Sequence, residues 1–314
     1  MPEYALRPFA TANPAESLPR PISQAPRPPR LVPPVYQRSA ILNVHLNEGD
    51  SHLELEVLKP FPPTCAQACV ARQTKLPSLP NILIVKVFDP MVMKRSKRHP
   101  TYSFLHESAA AERRGDQSQP ELVRSLSLGD PRLQDSEDRL VHSWDPNDEG
   151  IYPPISESEN EDPTSWEEHY FKISLQQFHK ERRAYERLSD LQGILVPRFY
   201  GCGRLGLPGR PIMPRVVLLE YIRDALPLDA FSVLSPHHKS LMAFDGPDAD
   251  AGIYKQFWSH GVVQNDVGHR QVSVTRDHIM VFDFGRAMLR EPDDTDEEWD
   301  WLYRGVEEHV QGAA

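Results

Sequence analysis

The sequence predicts an α+β protein with an antiparallel sheet, one long helix and a second lobe of shorter elements. Residues 39–88 hold short β-prone runs, in which LELEV alternates apolar and polar residues and ILIVKVF is rich in β-branched residues. Apolar residues then recur at helical spacing over 166–192. Two more strand-like runs follow at 196–205 and 215–222, and the order of all these elements predicts two lobes.

The first 38 residues and a long internal segment differ from these runs in composition. Residues 1–38 are rich in proline and arginine and are predicted to form a disordered tail, because they bury too little apolar area to offset the entropy of ordering. The segment at about 91–165 is basic at first and then acidic, with no sustained periodicity. It is predicted to be a disordered insertion in an N-terminal lobe that spans residues 39–222.

The later residues are predicted to complete the second lobe, residues 223–314. GIYKQFWSHGVVQND indicates a short helix that runs into a loop, and QVSVTRDHIMVFDFG indicates two strands joined by a tight turn at 276–277. An acidic helix that contains tryptophan is predicted near the end of the chain.

Composition excludes several classes of function. With 35 basic and 45 acidic residues, the net charge of −10 argues against a general binder of nucleic acid or anionic membranes, and Lys94 to Arg98 is the one basic run. The three cysteines, Cys65, Cys69 and Cys202, lack the paired spacing of a disulfide framework or a zinc site. No apolar run approaches the roughly 20 residues that cross a bilayer. We expect an intracellular protein, cytoplasmic or nuclear.

Four features with chemical potential follow one another along the chain. Lys86 lies inside an apolar strand, where a lysine must reach water or meet a fixed anion. Glu181 lies on the inward stripe of the long helix together with Phe178, Ala184, Tyr185 and Leu188. Asp266 lies in the loop after the short helix, and Asp283-Phe-Gly ends the last strand of the hairpin. Taken alone, each feature has an ordinary alternative: an outward-facing lysine for Lys86, a solvated helix charge for Glu181 and a common turn for Asp283-Phe-Gly.

In this order the four features resemble the eukaryotic protein-kinase fold. The phrases KVFDP, E..AY..L and VPR.YG are similar to those of a divergent fungal kinase-like group. The resemblance covers roughly residues 50 to 90 and 170 to 290. It implies a small antiparallel-sheet N-lobe and a truncated, mainly helical C-lobe.

The resemblance also implies a role for each residue. Lys86 would bind the α- and β-phosphates of ATP and be held by Glu181, and Asp266 would orient and deprotonate the acceptor hydroxyl. Asp283 would ligate Mg²⁺, with Gln271 in the place of a second metal ligand. Leu219 would lie at the back of the nucleotide pocket, and the backbone of Glu220 and Ile222 would bind the adenine edge.

The chain departs from the family pattern at several positions. Gln264 stands where histidine is usual, which is expected to cost a structural hydrogen bond. Gln271 replaces an asparagine with a side chain one methylene longer, which puts a second metal ion in doubt. The turn at Lys59–Thr64 has no glycine to let backbone N–H groups approach a phosphate. Only 29 residues follow Gly285, too few for the family's peptide-binding helices.

Three functions remain open from the sequence. The first is ATP- and Mg²⁺-dependent transfer of phosphate to a serine or threonine hydroxyl, and the second is an inactive pseudokinase that acts as an interaction module. A small-molecule kinase of the aminoglycoside or choline type ranks lower, because such enzymes carry D-x-D where this chain has Asp283-Phe-Gly. The acidic insertion, with Ser156 and Ser158, is a candidate docking segment for a protein partner; an ordinary flexible loop is the alternative.

Overall fold

A computed structural model describes ten segments of the chain. They are residues 32–46, 52–95, 101–114, 162–223, 225–227, 252–265, 271–275, 279–297, 299–301 and 304. All of them belong to one compact unit, Leu31–Ala314. None of the described helices combines the length and the apolarity that a membrane crossing requires.

Six of the described strands close into an antiparallel barrel. They are β1 (Ile41–Leu46), β2 (His52–Pro60), β3 (Gln67–Arg72), β4 (Ile82–Phe88), β5 (Phe199–Gly206) and β6 (Arg215–Glu220), in the spatial order β1-β2-β3-β4-β6-β5. Alternate residues point inward, because successive side chains on a strand face opposite sides. The barrel core includes Leu42, Leu55, Val57, Val85, Val87 and Leu218, all fully buried. The predicted antiparallel sheet is confirmed, and the pairing of β1 with β5 closes it.

The closure depends on a close approach of two backbones. Gly203 on β5 lies opposite Leu46 on β1. A Cβ atom at this position would lie 2.2 Å from the carbonyl oxygen of His45. Only glycine therefore fits at this point of the seam.

Residues 32–38 are part of the folded unit, which corrects the end of the predicted disordered tail. A short 3₁₀ turn, Pro34–Tyr36, leads into β1. Tyr36 is fully buried against the barrel core, and its hydroxyl donates a hydrogen bond of 2.6 Å to Asp89. A buried aromatic ring with a satisfied hydroxyl offsets the ordering cost that the proline-rich composition suggests.

The predicted disordered insertion, about 91–165, is corrected at both of its ends, because residues 91–95 and 101–114 at one end and 162–165 at the other are ordered parts of the fold. Residues 101–114 contain a helix, α1 (Phe104–Arg114), whose first turn is capped by the Ser103 hydroxyl accepting from the N–H of His106 at 3.4 Å. Arg113 and Arg114 lie in its last turn, where the helix dipole favours cations. Residues 115–161 lie outside the described residues. The acidic docking segment therefore stays a prediction.

The long predicted helix is confirmed as α2 (Pro163–Arg187). It begins at Asp162, whose carboxylate accepts from the N–H of Thr164 at 2.9 Å, and proline fits its first turn. It ends before the predicted stop at Gly193, because a 3₁₀ turn, Ser189–Leu191, intervenes. The inward stripe of α2 packs on the outer face of β4 and β6.

The C-terminal segment mixes helix with short strand pairs within the described residues, so it is less helical than the resemblance implies. It contains β7 (Leu226–Pro227), α3 (Ile253–Ser259), β8 (Val262–Val263), β9 (Val272–Val274), β10 (Ile279–Val281) and β11 (Met288–Leu289). β9 pairs antiparallel with β10, as the predicted hairpin requires, and its turn at 276–278 lies outside the described residues. The predicted acidic helix is seen at 296–297 and 299–301. A shared core joins this segment to α2 and to the outer face of β4 and β6.

Candidate functional site

Lys86 lies on the outer face of the barrel, toward α2. Its neighbours on β4, Val85 and Val87, point into the barrel core. Across the sheet it stands opposite Ala68 on β3 and Val217 on β6. Lys86 is only 9% exposed, so its ammonium group needs a fixed anion.

Two carboxylates meet that ammonium group. Nζ of Lys86 donates to Oε2 of Glu181 on α2 and to Oδ1 of Asp283, the latter at 2.7 Å. Glu181 is fully buried, whereas the side chain of Asp283 is 42% exposed. These three residues, here called the charged trio, come from β4, α2 and the loop after β10. The structure thus brings together three of the predicted site residues, and the Asp283 side chain leaves one side of the trio exposed to solvent.

Burial and charge act in opposite directions on the trio. Burial disfavours the charge of Lys86, but Asp283 and Glu181 outweigh it and raise the pKa of Lys86. Burial raises the pKa of Glu181 to about 7, against the lowering effect of Lys86. The charge of Lys86 lowers the pKa of Asp283, against burial. The ammonium group and the Asp283 carboxylate therefore stay charged at neutral pH.

Asp283 has an unusual backbone conformation that its neighbours hold in place. Its φ is +69°, in the left-handed region that residues other than glycine rarely adopt. Gln264, 1% exposed, donates from Nε2 to the carbonyl oxygens of Phe282 at 3.3 Å and Asp283 at 2.8 Å. The expectation that Gln264 costs a structural hydrogen bond is therefore wrong. Its longer amide side chain binds the backbone of the Asp-Phe-Gly turn directly.

The rest of that turn fastens it to α2. The backbone N–H of Gly285 lowers the pKa of both carboxylates of the trio. A Cβ at Gly285 would lie 3.4 Å from Oε2 of Glu181, an ordinary contact. Phe284 is fully buried, with its ring edge-to-face against Tyr185 at 5.4 Å and Phe257 at 5.6 Å. Aromatic packing thus joins α2, α3 and the turn.

The residues near Asp283 fit a hard divalent cation in part. The backbone carbonyl oxygen of Gln271 accepts a hydrogen bond of 2.9 Å from the N–H of Phe282, which places Gln271 beside Asp283. Its side-chain Oε1 is buried and has no hydrogen-bond partner among the described residues. Carboxylate and amide oxygens are the ligands that Mg²⁺ takes in proteins. In the described part of the chain, no group of three His, Cys, Asp or Glu residues is placed to hold a metal.

Asp266, the predicted base, lies outside the described residues. Its role rests on the sequence alone. The chain on either side is described, since β8 and Gln264 precede it and Gln271 follows it. Both described flanks contact the Asp-Phe-Gly turn, through the side chain of Gln264 and the backbone carbonyl group of Gln271.

The predicted adenine-binding residues lie at the end of β6. Leu219 is 4% exposed and packs in the core shared with α2. The N–H of Glu220 donates to the carbonyl oxygen of Arg198 at 2.9 Å, and its carboxylate accepts from the N–H of Arg198 at 3.1 Å. Ile222 is half-buried in the connector that follows. Because the N–H of Glu220 is already bonded, the predicted contact between its backbone and adenine would have to use its carbonyl group.

The glycine-free turn between β2 and β3 is closed by a side chain. Gln67 is fully buried, and its Nε2 donates to the carbonyl oxygens of Phe61 and Ala68, both at 2.8 Å. The N–H of Phe61 donates to Ala68 at 2.9 Å. Proline at 62 and 63 removes two backbone donors from this turn. The turn is thus internally bonded and offers a phosphate few N–H groups.

Sequence reasoning missed two of the contacts that build this site. One is the pair of hydrogen bonds from the Gln264 side chain to the Asp-Phe-Gly turn. The available signal was an amide residue just before the predicted loop. The other is a pair of bonds at the end of α2, where Arg187 donates to the carbonyl oxygens of Gly261 at 2.7 Å and Arg290 at 2.6 Å. No local pattern signals that pair, because its members lie far apart in the sequence.

Comparison with known proteins gives only a coarse similarity. No protein-family profile and no curated protein matches the chain. Among solved structures, the chain is similar to the PknI kinase domain of Mycobacterium tuberculosis, with 12% identity and a TM-score of 0.33 over 74% of this chain and 58% of that one. A double mutant of that domain gives 13% identity and a TM-score of 0.34 over 79% of this chain and 66% of the other. The similarity is to a kinase-like fold at most, and no residue role follows from it.

Proposed function

We propose that this chain binds ATP and Mg²⁺ at the charged trio, in the manner of a protein kinase. The observation that carries the proposal is the position of Lys86, whose ammonium group is held between Glu181 and Asp283 on a face where Asp283 is partly exposed. A buried lysine fixed by one carboxylate beside a second, accessible one provides a cation for phosphate and a ligand for a metal ion. The narrower resemblance to a fungal kinase-like group stays a prediction.

Each residue has a defined part in this binding. Lys86 bonds the phosphate oxygens while Glu181 fixes its direction. Asp283 and the unpartnered amide oxygen of Gln271 would hold Mg²⁺, which neutralises phosphate charge when it is bound. The carbonyl of Glu220, with Leu219 and Ile222 beside it, would face the adenine.

Transfer of phosphate is a separate question from binding. Transfer to a serine or threonine hydroxyl would need Asp266 as the base. The internally bonded, proline-containing turn closed by Gln67 favours the pseudokinase alternative, because it offers few donors to a transferring phosphate. We therefore place nucleotide binding first and treat transfer as an activity to be tested.

Binding is tested by calorimetry of ATP, with and without Mg²⁺, on the wild type and on Lys86→Met. Loss of the Lys86 ammonium group should weaken binding at least about tenfold, the loss expected when a charge-assisted hydrogen bond disappears. Lys75→Met is the matched control, because Lys75 is an exposed lysine whose partner is the exposed Glu54 on β2. Equal affinities in the wild type and Lys86→Met would remove Lys86 from the site.

Transfer is tested by incubation with γ-labelled ATP and Mg²⁺. Label that appears in the protein or in a serine- and threonine-containing peptide supports a protein kinase. Label in a small-molecule extract supports the small-molecule alternative, and binding without any label supports a pseudokinase.

A further inference from the structure

The C-terminal end of α2 is tied to the segment that follows the Asp-Phe-Gly turn. Arg187 reaches the backbone of Gly261 and Arg290, and Nη2 of Arg183 lies 2.9 Å from Oε2 of Glu291. These bonds link α2 to the residues around β8 and β11. One end of the helix that carries Glu181 is therefore fixed relative to Asp283.

Arg95 forms a polar link between the N-terminal part of α2 and the residues that follow β4, the strand of Lys86, beside the apolar contact of Met93 with Tyr170 and Ile173. Nη1 of Arg95 donates to Oε1 of Glu167 on α2 at 2.7 Å, and Nη2 donates to the carbonyl oxygen of Pro90 at 3.0 Å. The guanidinium also lies 4.3 Å from the ring centre of Tyr170 on α2. The side chains of Arg95 and Glu167 are 6% and 4% exposed. Pro90 lies just after the end of β4, so one buried group bridges the lysine strand and the glutamate helix.

The position of Glu167 relative to Glu181 makes this bridge relevant to the site. The two glutamates are 14 residues apart (181 − 167), close to four helical turns, and they share the buried stripe of α2. A helix is stiff over this length of roughly 21 Å. A contact at Glu167 therefore fixes the rotation of the helix at Glu181.

We propose that Arg95 is a positioning residue, which holds α2 in the orientation that brings Glu181 onto Lys86 before any ligand or partner binds. Its relevance to phosphate binding rests on the function proposed above. Arg95 suits this role because its planar fork presents several N–H donors in a fixed geometry and reaches a carboxylate and a carbonyl group at once. In this chain the contact between Glu181 and Lys86 is then already formed in the free protein and does not depend on a ligand, a partner or a modification.

The test reads Lys86 itself, without nucleotide. In protein labelled with ¹⁵N at the lysine Nζ atoms, a buried ammonium group bonded to two carboxylates exchanges its protons slowly and gives its own NMR signal, assigned by its absence from Lys86→Met. We expect Arg95→Met to lose this signal, since Glu181 moves away. Absence of the signal from the wild type would contradict the charged trio and the proposal with it.

Arg113→Met is the matched control. Arg113 also pairs with a carboxylate at the start of α2, Asp162, at 2.8 Å, but the two side chains are 53% and 35% exposed. The change of charge and of size is the same as in Arg95→Met. We expect the Lys86 signal to persist, because an exposed ion pair contributes little to the position of the helix.

A second readout separates positioning from general damage. Arg95→Met should weaken ATP binding about tenfold, as loss of a charge-assisted bond to phosphate does, while adenosine binding changes less than about twofold. General damage to the fold would weaken both ligands alike. If the wild type binds no ATP, the proposed function fails, whereas the Lys86 signal still decides the role of Arg95.

Arg95→Met leaves Glu167 buried without its cation and is at risk of unfolding. The double variant Arg95→Met/Glu167→Met removes both charges, and replacement of a buried ion pair by apolar residues is often neutral for stability. We therefore expect this variant to fold. Because it lacks the bridge to Pro90, we expect it still to lose the Lys86 signal. A wild-type Lys86 signal in a folded sample of either variant would overturn the proposal.

Discussion

Arg210→Met should be among the most destabilising substitutions in this chain. Arg210, in the turn between β5 and β6, donates from Nη1 to Asp89 at 2.7 Å and from Nε to Glu107 at 3.1 Å, with a further bond from Nη2 to Glu107. The side chains of Asp89 and Glu107 are 0% and 4% exposed. Burial opposes the charge of Arg210, but the two carboxylates outweigh it and raise the pKa of the guanidinium. Methionine would leave two buried carboxylates without their cation.

The size of the effect follows from that burial. Removal of one partner from a buried ion pair costs about 3–5 kcal/mol. Asp89 keeps its bond from Tyr36, and Glu107 keeps a bond of 2.8 Å from the hydroxyl of Tyr102, so the lower half of that range is the better expectation. With a urea slope of about 2 kcal/mol/M, the unfolding midpoint should fall by roughly 1.5–2 M.

Urea unfolding at pH 7, followed by circular dichroism, measures this change. Arg72→Met is the control, because Arg72 pairs with Glu56 at 3.4 Å with side chains 51% and 39% exposed, and its loss should cost less than about 1 kcal/mol. Arg210→Lys should fall between, since a lysine keeps the charge but lacks the planar fork from which three nitrogens of Arg210 bond the two carboxylates. If Arg210→Met unfolds at the same urea concentration as Arg72→Met, the network does not stabilise the fold and the reasoning is refuted.

Two further substitutions test the barrel seam and a surface histidine. Gly203→Ala should lower the free energy of unfolding by about 1–3 kcal/mol, because its Cβ would lie 2.2 Å from the carbonyl oxygen of His45. Gly206→Ala on the same strand is the control, because its Cβ would meet nothing closer than 3.4 Å. Urea unfolding of both variants measures the difference. The pKa of His260 is raised from 6.5 by a backbone carbonyl of α3 and by Asp190, so this pair stabilises the fold fully below pH 6.5 and less as the pH rises through the raised value. Asp190→Asn should flatten that fall in stability, and an unchanged slope in a pH series of unfolding curves would contradict it.

The elements that the sequence predicts well are those whose signal is local. The alternation in β2, the β-branched run of β4 and the helical spacing of α2 each follow from a short stretch of residues. The closure of the barrel cannot be predicted in this way, because the two strands that meet, β1 (Ile41–Leu46) and β5 (Phe199–Gly206), lie far apart in the sequence. Tyr36 and α1 were missed for the same reason, since a polar stretch becomes ordered here through contacts with Asp89 and Arg210 that no local pattern signals.

The candidate site divides in the same way. Lys86, Glu181 and Asp283 were singled out by the type of residue and by their order, and the structure places them in contact. The sequence predicts the loss of a hydrogen bond at Gln264, because a comparison with histidine does not reveal which carbonyl groups the longer amide side chain reaches. The role of Asp266 still rests on the sequence.

The backbone of Asp283 supports a functional interpretation of the trio. A residue other than glycine in the left-handed region costs about 1–2 kcal/mol, and such strain persists where the surroundings hold it in place. Here Gln264 binds the carbonyl group of Asp283 and Lys86 binds its carboxylate, so the strained conformation is kept from both sides. The side chain of Asp283 is also 42% exposed. That arrangement presents a carboxylate to solvent beside a fixed cation, which is what the proposed binding of a phosphate group together with a metal ion would require.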